Sequence, residues 1–136
     1  MSQPENNLAT LLRTMQPELH QGAYAFVSLP LDTEVSLSEA IATFRETEGL
    51  TVVLDEEAAA RRGWPVLFRA AWITLTVHSD LQAVGLTAAF AHALGAAGIS
   101  CNVIAAAYHD HIFVPFDERA RAMDALTALQ RDAQGG

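Results

Sequence analysis

The sequence predicts an α+β protein made of two modules with similar element order. Two observations carry this. Apolar residues change periodicity repeatedly along the 136 residues, switching between the two-residue alternation of a half-buried strand and the stripe of an amphipathic helix. The elements these periods define run β-α-β-β-α in the second half of the chain. In the first half they run β-(short connection)-β-β-α-β, the same order with its first helix reduced or missing. Composition agrees, at 51% hydrophobic and 18% charged residues, which is not the signature of a disordered chain. A chain of this size buries roughly two thirds of its unfolded surface and needs no metal or disulfide to fold.

The elements follow in order. Leu8, Leu11, Leu12 and Met15 recur at helical spacing, and Pro17 ends that segment because the residue before a proline leaves the α region. Ala23 to Leu29 is aromatic and β-branched, bounded by Gly22 and Pro30, and reads as a strand. Residues 36–48 support two readings. Ser36 and Glu39 fit a capping box ahead of a stripe of Leu37, Ala40, Ile41 and Phe44. Alternatively, Ala40 to Arg45 and Leu50 to Leu54 form a hairpin, with Thr47-Glu48-Gly49 as its turn and Gly49 at positive φ. Asp55 is placed to cap a helix over Glu56 to Arg62, with acids at its start, arginines at its end and Gly63 to close it.

Trp64-Pro65 is a break, and Val66 to His78 is extended, with Ile73, Leu75 and Val77 alternating with Thr74 and Thr76. A helix is expected from about Leu81 to Ala97, stacking Leu86, Phe90 and Leu94 and ending at Gly98. Ile99 to Ala107 reads as a strand, Tyr108-His109-Asp110 as a tight turn and His111 to Phe116 as the return strand. Asp117 is expected to cap a last helix with an inner face of Met123, Leu126 and Leu129.

Charge and cysteine usage bound the function. Sixteen acidic residues against eight basic ones give a formal charge of −8. Such a surface repels phosphates, so neither a nucleic acid nor a membrane is expected as a partner. One cysteine, Cys101, cannot form an internal disulfide, and no secretory signal is visible, so a cytoplasmic protein is expected. Gln82 to Tyr108 lacks charge and is long enough to span a bilayer, but Gly95, Gly98, His92 and Asn102 interrupt it and its flanks are acidic. A buried helix followed by a buried strand explains it better.

Three places carry candidate chemistry. Ser79-Asp80, followed by Gly85-Leu86, joins a strand to a helix. Free N–H groups at a helix start attract a carboxylate, Gly85 lets a ligand approach, and Asp80 is a partner for an ammonium. Its structural alternative is a helix cap and a packing glycine. Asn102 sits in an otherwise apolar strand and needs partners if buried, whereas Cys101 reads as an inert core residue. His109-Asp110-His111 resembles a metal motif, but no HExxH or CxxC accompanies it, so turn structure is the simpler reading and no metal is expected. No nucleophile elbow, P-loop or dinucleotide fingerprint is present.

Ile73 to Thr87, continuing through Leu94-Gly95-Ala96-Ala97-Gly98-Ile99 to Ile104, resembles the first strand, loop, helix and second-strand entry of an ACT domain. Over nearly its full length the chain resembles a small bacterial family of duplicated ACT-like proteins. The matching pieces are Leu12 to Leu19, Gly22 to Phe26, Thr43 to Thr51 and Tyr108 to Pro115. It is more distantly similar to the eukaryotic cytosolic arginine sensor, in which the segment resembling Phe44 to Asp55 is a hairpin; on that likeness the hairpin is preferred here.

The resemblance implies a ferredoxin-like fold of tandem βαββαβ modules. Residues 1–66 would form an N-terminal module with a leading helix, and 67–136 a C-terminal one. It implies a non-catalytic regulatory protein that binds a small molecule such as an amino acid, without a cofactor, as a homodimer. The implied binding residues are Ser79, Asp80, Val84, Gly85, Leu86, Asn102, Val103, His109 and Asp110. The alternatives are a structural or protein-interaction domain without a ligand, and a small enzyme using His109 or His111.

Overall fold

The structure, a computed structural model, describes residues 7–76 and 85–135. Its elements in chain order are α1 (Leu8–Thr14), β1 (Pro17–Leu19), β2 (Tyr24–Leu29), β3 (Ala40–Glu46), β4 (Gly49–Asp55), α2 (Glu56–Arg62), β5 (Phe68–Leu75), α3 (Leu86–Ala96), β6 (Asn102–Ala105), β7 (Asp110–Pro115) and α4 (Arg119–Gly135). They divide into two compact units. One is Gln21–Ala71, and the other joins the described residues up to His20 with those from Trp72 onward. The division falls inside β5.

In the unit Gln21–Ala71 the strand order is β3-β4-β2-β5. The paired strands run antiparallel, with Phe26 opposite both Val53 and Phe68. Period-two alternation sends Ala25, Val27 and Leu29 of β2 and Val52 and Leu54 of β4 to one face, where Ala58 and Ala59 of α2 close a core. The helix α2 matches its expected bounds: Asp55 accepts from the Glu57 amide at 2.8 Å and Gly63 ends it in the left-handed region.

Residues 36–48 belong to the hairpin β3–β4, not to a helix. The backbone carbonyl of Ser36 accepts from the amides of Glu39 and Ala40, closing a turn that goes no further. The helical stripe would have buried Leu37 and Phe44, which are 89% and 70% exposed. One detail of the expected hairpin is corrected. Gly49 is the first residue of β4 and is not among the positive-φ glycines, so no left-handed turn residue is needed. A Cβ there would come within 2.8 Å of the Leu29 carbonyl oxygen, and that close approach is what requires glycine.

The connection from Pro30 to Glu39 holds turns where a first helix would lie, and Val35 packs from it onto the core. The βαββαβ order is therefore present with its first helix missing.

The second unit orders its strands β1-β5-β7-β6. Taking β5, β6, β7 and β1 as first to fourth, this is the same arrangement as β2, β3, β4 and β5 in the other unit. The first strand is central, flanked by the third and fourth, with the second at the edge. This is the ferredoxin-like α+β arrangement, and here the fourth strand comes from the start of the chain. Alternation places Ile73 and Leu75 on one face of β5, and Leu11, Met15, Phe90, Leu94 and Leu126 supply the helical side of the interior.

Several boundaries differ from expectation. The strand β5 ends at Leu75, and the expected continuation to His78 runs outside the described residues. Helix α3 starts at Leu86 because Gly85, at φ 99°, is left-handed and cannot be its first turn. Gly98 (φ 76°) does end it, with the Ile99 amide returning to the Leu94 carbonyl at 2.9 Å. Strand β6 covers only Asn102–Ala105. Asp117 lies within a 3₁₀ turn, Phe116–Glu118, ahead of α4 rather than at its cap. Strand β1 was not anticipated, since three residues after a proline carry no readable period.

Candidate functional site

The expected loop is described only from Gly85 onward; Ser79, Asp80 and Val84 lie outside the described residues. Gly85 is the N-cap of α3 and, having no side chain, supplies no capping oxygen of its own to the first-turn amides. No acidic residue stands in that turn. The Leu86 side chain is buried at 3% exposure, so only its backbone faces outward chemistry. A Cβ on Gly85 would meet Leu8 Cδ2 at 3.0 Å, so this glycine also serves the packing of α1.

The remaining expected residues do not gather at one point. Asn102 is exposed on the edge strand β6, not buried as its apolar neighbours suggested. It pairs with Phe113, whereas Asp110 pairs with Ala105 at the other end of the hairpin. Three residues of strand separate them, about 10 Å. Val103 is half-buried between them. His109 precedes β7, and its carbonyl accepts from the Ala106 amide at 3.0 Å to close the turn. Asp110 is 4% exposed; burial raises its carboxyl above the usual range, against a smaller lowering by His109. Cys101 is half-buried, and burial pushes its thiol up to about 11, so it is held as an unreactive thiol.

A different cluster forms in the same unit. His20 stacks on Trp72, ring centroids 3.6 Å apart and planes 4° apart. His20 Nε2 lies 2.7 Å from Thr74 Oγ1, and Thr74 Oγ1 lies 3.1 Å from His111 Nδ1. The Trp72 indole Nε1–H donates to the same His111 Nδ1 at 3.1 Å. The proton positions follow. An indole N–H can only donate, so Nδ1 of neutral His111 is an acceptor and its proton sits on Nε2. Thr74 then donates to Nδ1 and accepts from Nε2–H of His20. The result is a directed chain from His20 through Thr74 to His111, joined there by Trp72.

Phe113 lies beside it, with its ring 6.1 Å from Trp72 and 1% exposed. Burial lowers both imidazoles below their ordinary value, aided at His111 by His109 and His20 and opposed at His20 by Glu18. Thr74 beside a histidine has the outline of a nucleophile and base, but at 5% exposure it cannot meet a substrate. The sequence held one signal for this cluster, the Trp72-Thr74-Thr76 face of β5. The partners His20, just after β1, and His111 of β7 lie far away in sequence, so no spacing revealed them. Among the described residues, no group of three or more His, Cys, Asp or Glu side chains is placed to hold a metal ion.

In the other unit an open cleft of about 470 Å³ is lined by Glu34, Val35, Ser36 and Arg62. Arg62 is already held by Glu39 through a pair of hydrogen bonds of 2.7 and 3.2 Å and lies over the Trp64 ring.

With both units laid out, the comparisons are specific. Residues 3–71 match an ACT-domain family model, and residues 68–128 match a second ACT-domain model. The chain belongs to the ACT-domain family. The two ACT matches overlap in residues 68–71, the first half of β5. The ACT chain is 48% identical to a Vibrio cholerae protein of unknown function described as a possible transport protein. The alignment covers 90% of this chain and 95% of that one, at a TM-score of 0.78.

It shares the fold of E. coli aspartokinase III, solved with aspartate and ADP, at 10% identity and a TM-score of 0.61, over 83% of this chain and 32% of that one. It also shares the fold of the regulatory subunit of aspartate kinase from Thermus flavus, at 10% identity and a TM-score of 0.54, over 85% and 95%. No curated protein matches the chain. Among the described residues, no helix is long and apolar enough to cross a membrane.

Proposed function

We propose that this ACT protein is a non-catalytic regulator that binds an amino acid at the start of α3. The observation that carries the reading is the glycine N-cap. Gly85 itself offers no capping side chain to the amides of a helix of 11 residues, and no acid stands in the first turn to compete for them. A ligand carboxylate complements such donors and the positive end of the helix. Asp80, in the segment leading to Gly85, complements the ligand's ammonium. The fold shared with aspartokinase III, solved with aspartate, supports an amino acid as the ligand class.

The test is a thermal-shift screen against the twenty amino acids, followed by calorimetric titration of any hit. A ligand at 100-fold its dissociation constant adds about 2.7 kcal/mol of stability, which moves the melting temperature by several degrees in a domain of this size. Asp80→Ala is expected to weaken binding by roughly 10-fold or more, as loss of a charge-assisted hydrogen bond worth about 1.5–3 kcal/mol does. Gly85→Val does not discriminate, because its φ of 99° and the nearby Leu8 side chain make the substitution a folding defect in its own right. A screen in which no amino acid raises the melting temperature would overturn this function.

A further inference from the structure

We propose that His111 is a proton-operated latch for the N-terminal strand β1. The geometry that carries it is the junction at His111 Nδ1, where the Trp72 indole N–H and the Thr74 hydroxyl both arrive within 3.1 Å. A neutral imidazole accepts there. A protonated one carries a hydrogen at that atom, and two donors then face each other. The threonine adapts, because its hydroxyl rotates and its oxygen can accept instead. The indole cannot, because it is a donor only. Protonation of His111 therefore expels the Trp72 N–H from its place.

Trp72 is the floor on which His20 lies stacked, and His20 is the residue that follows β1. Strand β1 is three residues long. Its edge is held by backbone bonds to β5, the His20 amide donating to the Trp72 carbonyl at 2.9 Å and the Thr76 amide to the Gln16 carbonyl at 2.9 Å. Moving Trp72 disturbs the stack and that backbone bond together, at one end of a short strand.

Among the described residues, these charged and titratable groups lie around the junction. Glu18, paired with Thr74, comes from β1, His20 follows it, and His109 comes from the turn before β7. Opposite His111, β6 offers the uncharged Ile104. Asp110 has the other parity on β7 and points away from the junction. His20 is not the trigger: its Nε2–H already donates to Thr74, and a second proton on Nδ1 leaves that bond intact. Burial and the neighbouring imidazoles hold protonation of His111 below the ordinary imidazole range.

The experiment is NMR on the full chain carrying Trp64→Phe, so that the single indole signal reports Trp72. The His20 amide is followed by hydrogen exchange, corrected for intrinsic rates, from pH 7.5 to 5.5. The expected result is an indole shift and a loss of His20 amide protection of at least 10-fold, both with the midpoint of the His111 ring signals. In His111→Gln the side-chain carbonyl accepts from Trp72 at every pH, so the protection should hold constant across the range. Thr74→Val keeps the Trp72–His111 bond and should keep the pH step, which provides a second reading if His111→Gln folds poorly. Protection that stays constant in the wild-type chain while His111 titrates overturns the latch. So does a step that persists in His111→Gln, or one that follows the His20 signals instead.

Discussion

Gly49 is glycine because of what passes beside it. Its missing side chain leaves room for the Leu29 carbonyl oxygen, which a Cβ would approach to 2.8 Å. Backbone cannot swing aside as a long side chain can, so Gly49→Ala is expected to destabilise the protein by about 1–3 kcal/mol through forced backbone shifts. Urea denaturation should show a lowered midpoint with an unchanged slope. The sequence identified this residue as special and assigned it the wrong reason, because Thr-Glu-Gly looks like a turn ending in a left-handed glycine. The close approach depends on β2, which lies twenty residues earlier and leaves no trace in the local pattern. Asp110 illustrates the same limit. The sequence read it as part of a tight turn, whereas it opens β7, which buries it.

Local signals were sufficient where an element needs only its own residues. The cap Asp55, the acid-to-base polarity and Gly63 define α2 without tertiary information. Asp55→Ala is accordingly expected to cost about 1 kcal/mol, the usual value for a lost N-cap, read as a shift in the urea midpoint. Where two periodicities compete, as at residues 36–48, local signals failed to decide. The difference shows in burial: a helical stripe would have packed Leu37 and Phe44 inward, whereas the hairpin leaves both exposed. For the candidate site, the sequence placed the strand-to-helix join and its glycine. It could not place His20 on Trp72, because only antiparallel pairing of β1 with β5 creates that stack.

For the molecule as a whole, two predictions follow from the unit that contains both ends of the chain. Its stability should fall with acid. Burial lowers the pKa of both His20 and His111, so the unfolded chain binds protons more readily than the folded one. Their contribution is complete above the ordinary imidazole value of about 6.5 and is lost as the pH falls below it. Asp110 acts in the opposite sense: its raised pKa means the folded state takes up that proton first. Urea midpoints measured from pH 8 to pH 5 should decline, and a flat profile would contradict the burial of the imidazoles. The second prediction concerns the first 20 residues. They supply β1 and the buried Leu11 and Met15. A chain beginning at Gln21 should lose the cooperative unfolding of the unit that starts at Trp72 and expose the edge of β5 to aggregation. Size-exclusion chromatography and circular dichroism would register both effects.

The borrowed fourth strand also governs the order of events during synthesis. During synthesis residues 7–20 emerge well before their partners, which do not exist until α4 has been made. Gln130 donates to the Arg13 carbonyl across a separation of 117 residues, and His20 reaches Thr74 across 54. The segment 21–71 can meanwhile close most of its own contacts. Residues 7–20 must therefore wait for those partners until α4 is complete. Such long-range closure is slow and leaves apolar surface open while it is pending, so this protein's vulnerability in the cell is concentrated at that segment.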